Sequence, residues 1–162
     1  MTTQADQAVA EVDGPSTRPG DLVALVGLGD DAVEVVRDMA ARLGVLPGCA
    51  GLAGADGLLR LDSRRDAVEA RAMAVRAGTS AVLAVGTGPD GEVATAILPR
   101  LEPDEVWVVV DASRKPDDTQ TWVGVVRHTA VVRAMAVVGR ELTASPRTVD
   151  ALRLPDGWTT DG

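Results

Sequence analysis

The chain holds 162 residues, 46% of them hydrophobic and 25% charged, with a formal net charge of −8. That is one domain's worth of ordinary globular sequence, long enough to bury a core. A single cysteine, Cys49, and a single histidine, His128, exclude an internal disulfide and any multi-cysteine or multi-histidine metal site, while the acidic excess argues against a nucleic-acid partner.

Residues 1–20, rich in Thr, Gln, Asp, Gly and Pro without a sustained period, are expected to form a flexible leader. They lack the basic start and apolar stretch of a signal peptide. No apolar run approaches the ~18 residues that span a bilayer. A cytoplasmic protein without a membrane partner is therefore expected. Leu22-Val23-Ala24-Leu25-Val26 reads as a strand buried on both faces, and Asp30 to Leu43 as a helix whose Val36, Met39, Ala40 and Leu43 share one side. Pro47 to Gly57 reads as a Gly-rich loop. Leu58 to Leu61 is a candidate strand, and Arg64 to Ala77 an Ala-rich helix closed by Gly78.

Ser80 to Val85 is a second buried strand, followed by a loop Gly86-Thr87-Gly88-Pro89 and a short helix over Glu92 to Leu101. Glu105 to Val110 is the clearest strand. Pro116, Asp117 and Asp118 open a helix through Arg127, since proline suits a first turn and acids oppose the helix dipole there. Ala134 to Val138 is a further strand, and Pro146 to Leu152 a last helix. Strands alternating with helices predict a doubly wound, mostly parallel α/β sheet of five or six strands. It is expected to occupy residues 21–155, with a tail over 156–162.

Ligands of such sheets bind beyond the carboxyl ends of the strands. The first loop there is Gly27-Leu28-Gly29-Asp30-Asp31-Ala32, a literal match to the dinucleotide fingerprint G-x-G-x-x-A. The ribose-binding acid due ~20 residues later is missing, because that position falls near Cys49 to Gly51. A P-loop is excluded by residue type: no second glycine, lysine or hydroxyl stands at the right offset, and the sole lysine, Lys115, is distant in sequence. Asp30 and Asp31 are expected in the first turn of the following helix, capping its N–H groups and filling the place a phosphate would take.

Asp104-Glu105-Val106-Trp107-Val108-Val109-Val110-Asp111-Ala112-Ser113-Arg114-Lys115-Pro116-Asp117-Asp118 resembles the signal-recognition-particle class of GTPases, nearest its flagellar-biosynthesis, FlhF-like branch. The resemblance runs from about Leu22 to Gly162. Val23 to Gly27 is similar to the family's P-loop strand, Asp62-Ser63-Arg64-Arg65 to its Asp-Thr-x-Arg element, and Leu154 to Gly162 to its closing segment near the guanine base. The resemblance implies a P-loop-NTPase-like fold. It also implies an ancestral nucleotide pocket over Gly27, Gly29, Asp30, Asp31, Asp62, Arg65, Thr87 and Glu141. The departures are specific. The P-loop's Gly, Lys and Thr are missing, and Gly86-Thr87-Gly88-Pro89 replaces the γ-phosphate-sensing Asp-Thr-Ala-Gly. Near Val138-Gly139-Arg140-Glu141, only Glu141 stands in for the guanine-reading Lys and Asp. A lone Asp62 and Arg65 cannot run phosphoryl transfer without metal and phosphate clamps.

The expectation is a non-catalytic relative without cofactor that acts as an interaction or regulatory module. By analogy with a class that pairs face to face, its partner is a second copy or another protein. The alternative is a nucleotide- or dinucleotide-binding protein using Gly27 to Ala32. Trp107 and Trp122 are expected in the core, and Trp158 either over the old base pocket or under the sheet edge. Cys49 lacks a basic neighbour that would activate it. His128 is expected to serve a helix C-terminus, and Asp117 and Asp118 a helix start.

Overall fold

The computed structural model describes residues 12–160; the first eleven residues of the expected leader and the last two of the expected tail lie outside them. Seven strands form one sheet: β1 (Leu22–Leu28), β2 (Leu46–Gly51), β3 (Leu59–Arg60), β4 (Ala81–Thr87), β5 (Glu105–Asp111), β6 (Val132–Val138) and β7 (Asp156–Trp158). The described helices are α1 (Val33–Leu43), α2 (Arg64–Ala77), α3 (Glu92–Leu101) and α4 (Pro116–Thr129), with 3-10 turns at Arg140–Leu142 and Thr148–Leu152. The strand order is β3-β2-β4-β1-β5-β6-β7, and every pairing is parallel.

The α/β class stands, but the sheet has seven strands where the sequence predicts five or six. The two additions have the same physical origin. β2 spells Leu-Pro-Gly-Cys-Ala-Gly, with no β-branched residue to signal a strand. Its glycines are there for space: a Cβ on Gly48 would meet the Leu83 side chain at 2.6 Å and the Leu59 carbonyl oxygen at 2.8 Å. β7 lies within the expected tail, where Gly157 lets the strand pass over the Trp107 ring; a Cβ there would meet that ring at 2.6 Å.

Alternation along the strands divides the core. Leu22, Ala24 and Val26 of β1 face α2, α3 and α4 together with Leu83, Val85, Val106, Val108 and Trp122. Val23 and Leu25 face the α1 side, where Val33, Val36, Met39, Trp107 and Trp158 pack. Trp158 therefore sits under the sheet, donating its indole N–H to Asp38 at 2.9 Å with Arg42 over its ring at 4.2 Å. Residues ahead of β1 are tied down as well: Ser16 donates its N–H to the Glu105 carboxylate at 3.1 Å, and its carbonyl accepts from the Ser80 hydroxyl.

Helix ends follow local chemistry. Ser63 caps α2 by accepting the Asp66 N–H at 3.1 Å, while the Asp66 carboxylate takes the Ser63 N–H at 3.2 Å and the Asp62 N–H at 2.9 Å. α1 departs from expectation. It starts at Val33, three residues after Asp30, and its N-cap Ala32 has no side-chain cap. β1 runs on to Leu28 in register with β4, pairing Gly27 with Gly86, so Gly27 belongs to the strand and not to the loop. No described helix is long and apolar enough to cross a membrane.

Candidate functional site at the sheet switch point

The chain leaves β1 toward β2 and β3 on one side, then crosses from β4 to β5, β6 and β7 on the other. The crevice such a reversal opens lies at the carboxyl ends of β1, β4 and β5. There the structure has a cleft of about 660 Å³, bounded by Leu28 to Asp31 after β1, Leu52, Thr87 to Pro89 after β4, and Arg114, Lys115 and Asp118 after β5. A second cavity of about 210 Å³, at the β2–β3 edge, is lined only by apolar residues and glycines.

Only four residues, Gly29 to Ala32, join β1 to α1. Gly29 takes φ +51, a left-handed conformation that suits its missing Cβ. Backbone acceptors take three N–H groups here: Gly29 donates across to Thr87 O of β4 at 3.0 Å, while Asp31 donates to Leu28 O at 2.9 Å and Val33 to Asp30 O at 2.9 Å in local turns. A loop that cradles phosphate keeps such donors pointed at the ligand.

The two acids behave differently from expectation. Neither caps α1. Asp30 accepts the Gly54 N–H at 2.9 Å, tying the first connection to the β2–β3 loop. Asp31 takes a forked hydrogen bond from Arg114, Nε to Oδ2 at 3.2 Å and Nη2 to Oδ1 at 3.1 Å, tying it to the β5–α4 loop. The turn that separates the acids from α1 is the reason: their carboxylates lie ahead of the first helical residue and reach sideways. The Asp31 hydrogen bond, opposed by partial burial and helped by the charges of Asp31 and Asp111, raises the Arg114 guanidinium above its ordinary value. Arg114 and Lys115 are thus brought to the mouth from the far end of the sequence. Lys115, distant in sequence from the first loop, lines the same cleft as Gly29 and Asp31.

The floor of this region is backbone against backbone. Leu52 donates its N–H to Gly86 O at 2.9 Å, and a Cβ on Gly86 would overlap the Ala53 nitrogen and the Gly29 carbonyl oxygen. Thr87 is 1% exposed, and its hydroxyl accepts the Ala94 N–H at 3.3 Å in the first turn of α3.

Of the residues singled out from sequence, Gly29, Asp30, Asp31 and Thr87 meet at the cleft, with Gly27 just below in β1. Asp62 and Arg65 do not line it: Asp62 pairs with Arg60 at 2.9 Å, and Arg65 reaches Glu69 at 3.5 Å on α2. Glu141 is exposed in the 3-10 turn after β6 and is also outside the lining. Sequence reasoning missed Arg114 and Lys115 as site residues. The signal was present, because they follow the carboxyl end of β5 beside the switch point. Cys49 is buried in β2, and His128 lies in the last turn of α4. No group of three His, Cys, Asp or Glu among the described residues is arranged to hold a metal ion.

No family model matches the chain, and no curated protein matches it. Solved structures do. A crystal structure of FlhF complexed with GMPPNP and Mg²⁺ superposes with a TM-score of 0.71 at 11% identity, covering 96% of this chain and 72% of that one. A crystal structure of FlhF complexed with GTP and Mg²⁺ gives 0.67 at 14%, covering 98% and 70%. The α/β fold, with its single parallel seven-stranded sheet, is similar to that of FlhF.

Proposed function

We propose that this chain uses an FlhF-like G-domain fold as a protein-interaction or regulatory module and neither holds nor hydrolyses GTP. The observation that carries the reading is the β1–α1 connection. Its four residues contain no lysine, three nearby N–H groups are consumed by backbone carbonyls of the connection and of β4, and Asp30 and Asp31 stand where a polyphosphate needs positive charge. A carboxylate ~4 Å from a phosphate oxygen costs on the order of 4 kcal/mol at an effective dielectric of 20. Arg114 is already paired with one of these carboxylates, which leaves Lys115 as the single cation of the mouth lining outside a salt bridge among the described residues. The residues present do not fit a nucleoside triphosphate with its metal ion.

Calorimetric titration of GTP with Mg²⁺ into the purified chain tests this. The expected result is no saturable heat at micromolar protein; saturation at one equivalent overturns it. A dinucleotide site would draw on the same glycines, yet Gly27 is a paired strand residue and no acid stands at the ribose position. NAD and NADP belong in the same titration series. The partner is proposed to be a second copy or another protein, and light scattering at two concentrations reads self-association directly.

A further inference from the structure

Arg114 and Asp31 lie 83 residues apart in sequence and meet across the cleft from two different loops. The geometry points to Asp31 as a built-in counter-ion that occupies the anion-gripping fork of Arg114, so that the mouth is an oxyanion site latched shut by the protein's own carboxylate. The Nε–Nη2 edge of the guanidinium is used, each N–H donating to one carboxylate oxygen, in the side-on parallel arrangement by which arginine grips carboxylates and phosphates. The Asp31 side chain is only 21% exposed, so the contact is seated in the mouth and not spread over the surface. Its neighbour Asp30 is committed to Gly54, which leaves Asp31 as the one carboxylate of this loop on Arg114. Asp111 lies farther off, at 3.8 Å. With the Asp31 charge removed, the cleft lining keeps Arg114 and Lys115 as cations against Asp118 and an Asp30 already held by the Gly54 N–H, so its charge no longer favours exclusion, and the cleft volume of about 660 Å³ accommodates a small inorganic oxyanion. The inference rests on the reading above, that the native mouth takes no nucleotide.

The test is calorimetric titration of inorganic pyrophosphate into the native chain, Asp31→Asn, and Asp31→Asn combined with Arg114→Gln. Asp31→Asn is expected to bind one equivalent at least tenfold more tightly than the native chain, and the double variant to lose that gain. A folded Asp31→Asn with no gain overturns the latch, as does a gain that survives loss of Arg114. Saturation of the native chain by GTP would instead overturn the nucleotide-free reading, so the two failures are separable. Should Asp31→Asn not fold, the native chain suffices. The Arg114 Nε–H resonance, assigned with Arg114→Gln, is expected to exchange with solvent several-fold more slowly than that of exposed Arg65. Equal rates overturn the latch.

Discussion

Gly86→Ala probes the claim that backbone, and not ligand, fills the base of the mouth. The new Cβ would overlap the Ala53 nitrogen and the Gly29 carbonyl oxygen and lie 2.7 Å from the Leu52 carbonyl carbon. All three obstacles are backbone, so no rotamer change relieves them. The loops must move, and three hydrogen bonds are at stake: Leu52 N–H to Gly86 O, Gly29 N–H to Thr87 O, and Gly54 N–H to the Asp30 carboxylate. Overpacking costs about 1–3 kcal/mol, and the bonds about 1 kcal/mol each if lost. A total of about 4–6 kcal/mol would lower Tm by roughly 10–20 °C in a chain of this size. Gly88→Ala is the internal control, because its Cβ would come no nearer than 3.6 Å to anything, the Asp90 carboxylate being closest. Thermal denaturation followed by circular dichroism reads both. If the two variants melt within about 2 °C of each other, the close packing of the β1, β2 and β4 ends is wrong, and so is the argument that this space is unavailable to a ligand.

Two further outcomes follow from the cap of α2 and from the start of β1. Ser63→Ala removes the acceptor of the Asp66 N–H and should cost about 1 kcal/mol, read as a fall of ~2–4 °C in Tm. Asp104 is held below its ordinary value: burial pushes it up, but the Leu22 N–H bond and the Arg71 guanidinium outweigh burial. A depressed carboxylate stabilises the fold above its unfolded value of 3.8, and the gain is lost as pH falls through the lower folded value. Urea midpoints at about pH 5 and about pH 2 should therefore differ less in Asp104→Asn than in the native chain, and an unchanged difference would refute the assignment.

The parts of the fold readable from sequence were those in which local pattern and tertiary role agree. β1, β4 and β5 are continuous apolar runs because a parallel sheet buries them on both faces. α2 announces itself by Ser63, Asp66 and Gly78. β2 and β7 were illegible for one reason: Gly48 and Gly157 are chosen by what packs against them, Leu83 and Trp107, which no local window contains. The site failed differently. Asp30 and Asp31 look like capping residues, but β1 extends two residues past Val26 and the turn that follows delays the helix to Val33. That delay frees both acids to bridge loops. Arg114 and Lys115 were legible as residues after the carboxyl end of a strand, and the β1–β5 pairing is what brings them to the first loop.

The charge pattern of the helices gives the mouth its character. Glu34, Asp66, Glu92, and the pair Asp117 and Asp118 sit in the first turns of α1 to α4, while Arg42, Arg76, Arg100, and Arg127 with His128 sit in the last turns. Each such charge stabilises its helix by about 0.3–1 kcal/mol through the helix dipole. Because every strand pair is parallel and each helix carries the chain back along the sheet, all four N-terminal turns gather at the edge that holds the cleft. Local stabilisation therefore adds up to a long-range field: the carboxylates collect on one edge, joined by Asp30 and Asp31, and the arginines of the last turns on the other. Of the first-turn acids Asp118 lines the cleft itself, so with Asp30 and Asp31 three carboxylates border it, and charges closer than about 8 Å escape most salt screening. The first turn of α1 carries Glu34, and Asp31 pairs with Arg114 at the mouth, the contacts on which the proposed reading rests. On the proposed function, helix stability and nucleotide affinity compete for the same few backbone ends, and the acids in the first turns weigh on the side of stability.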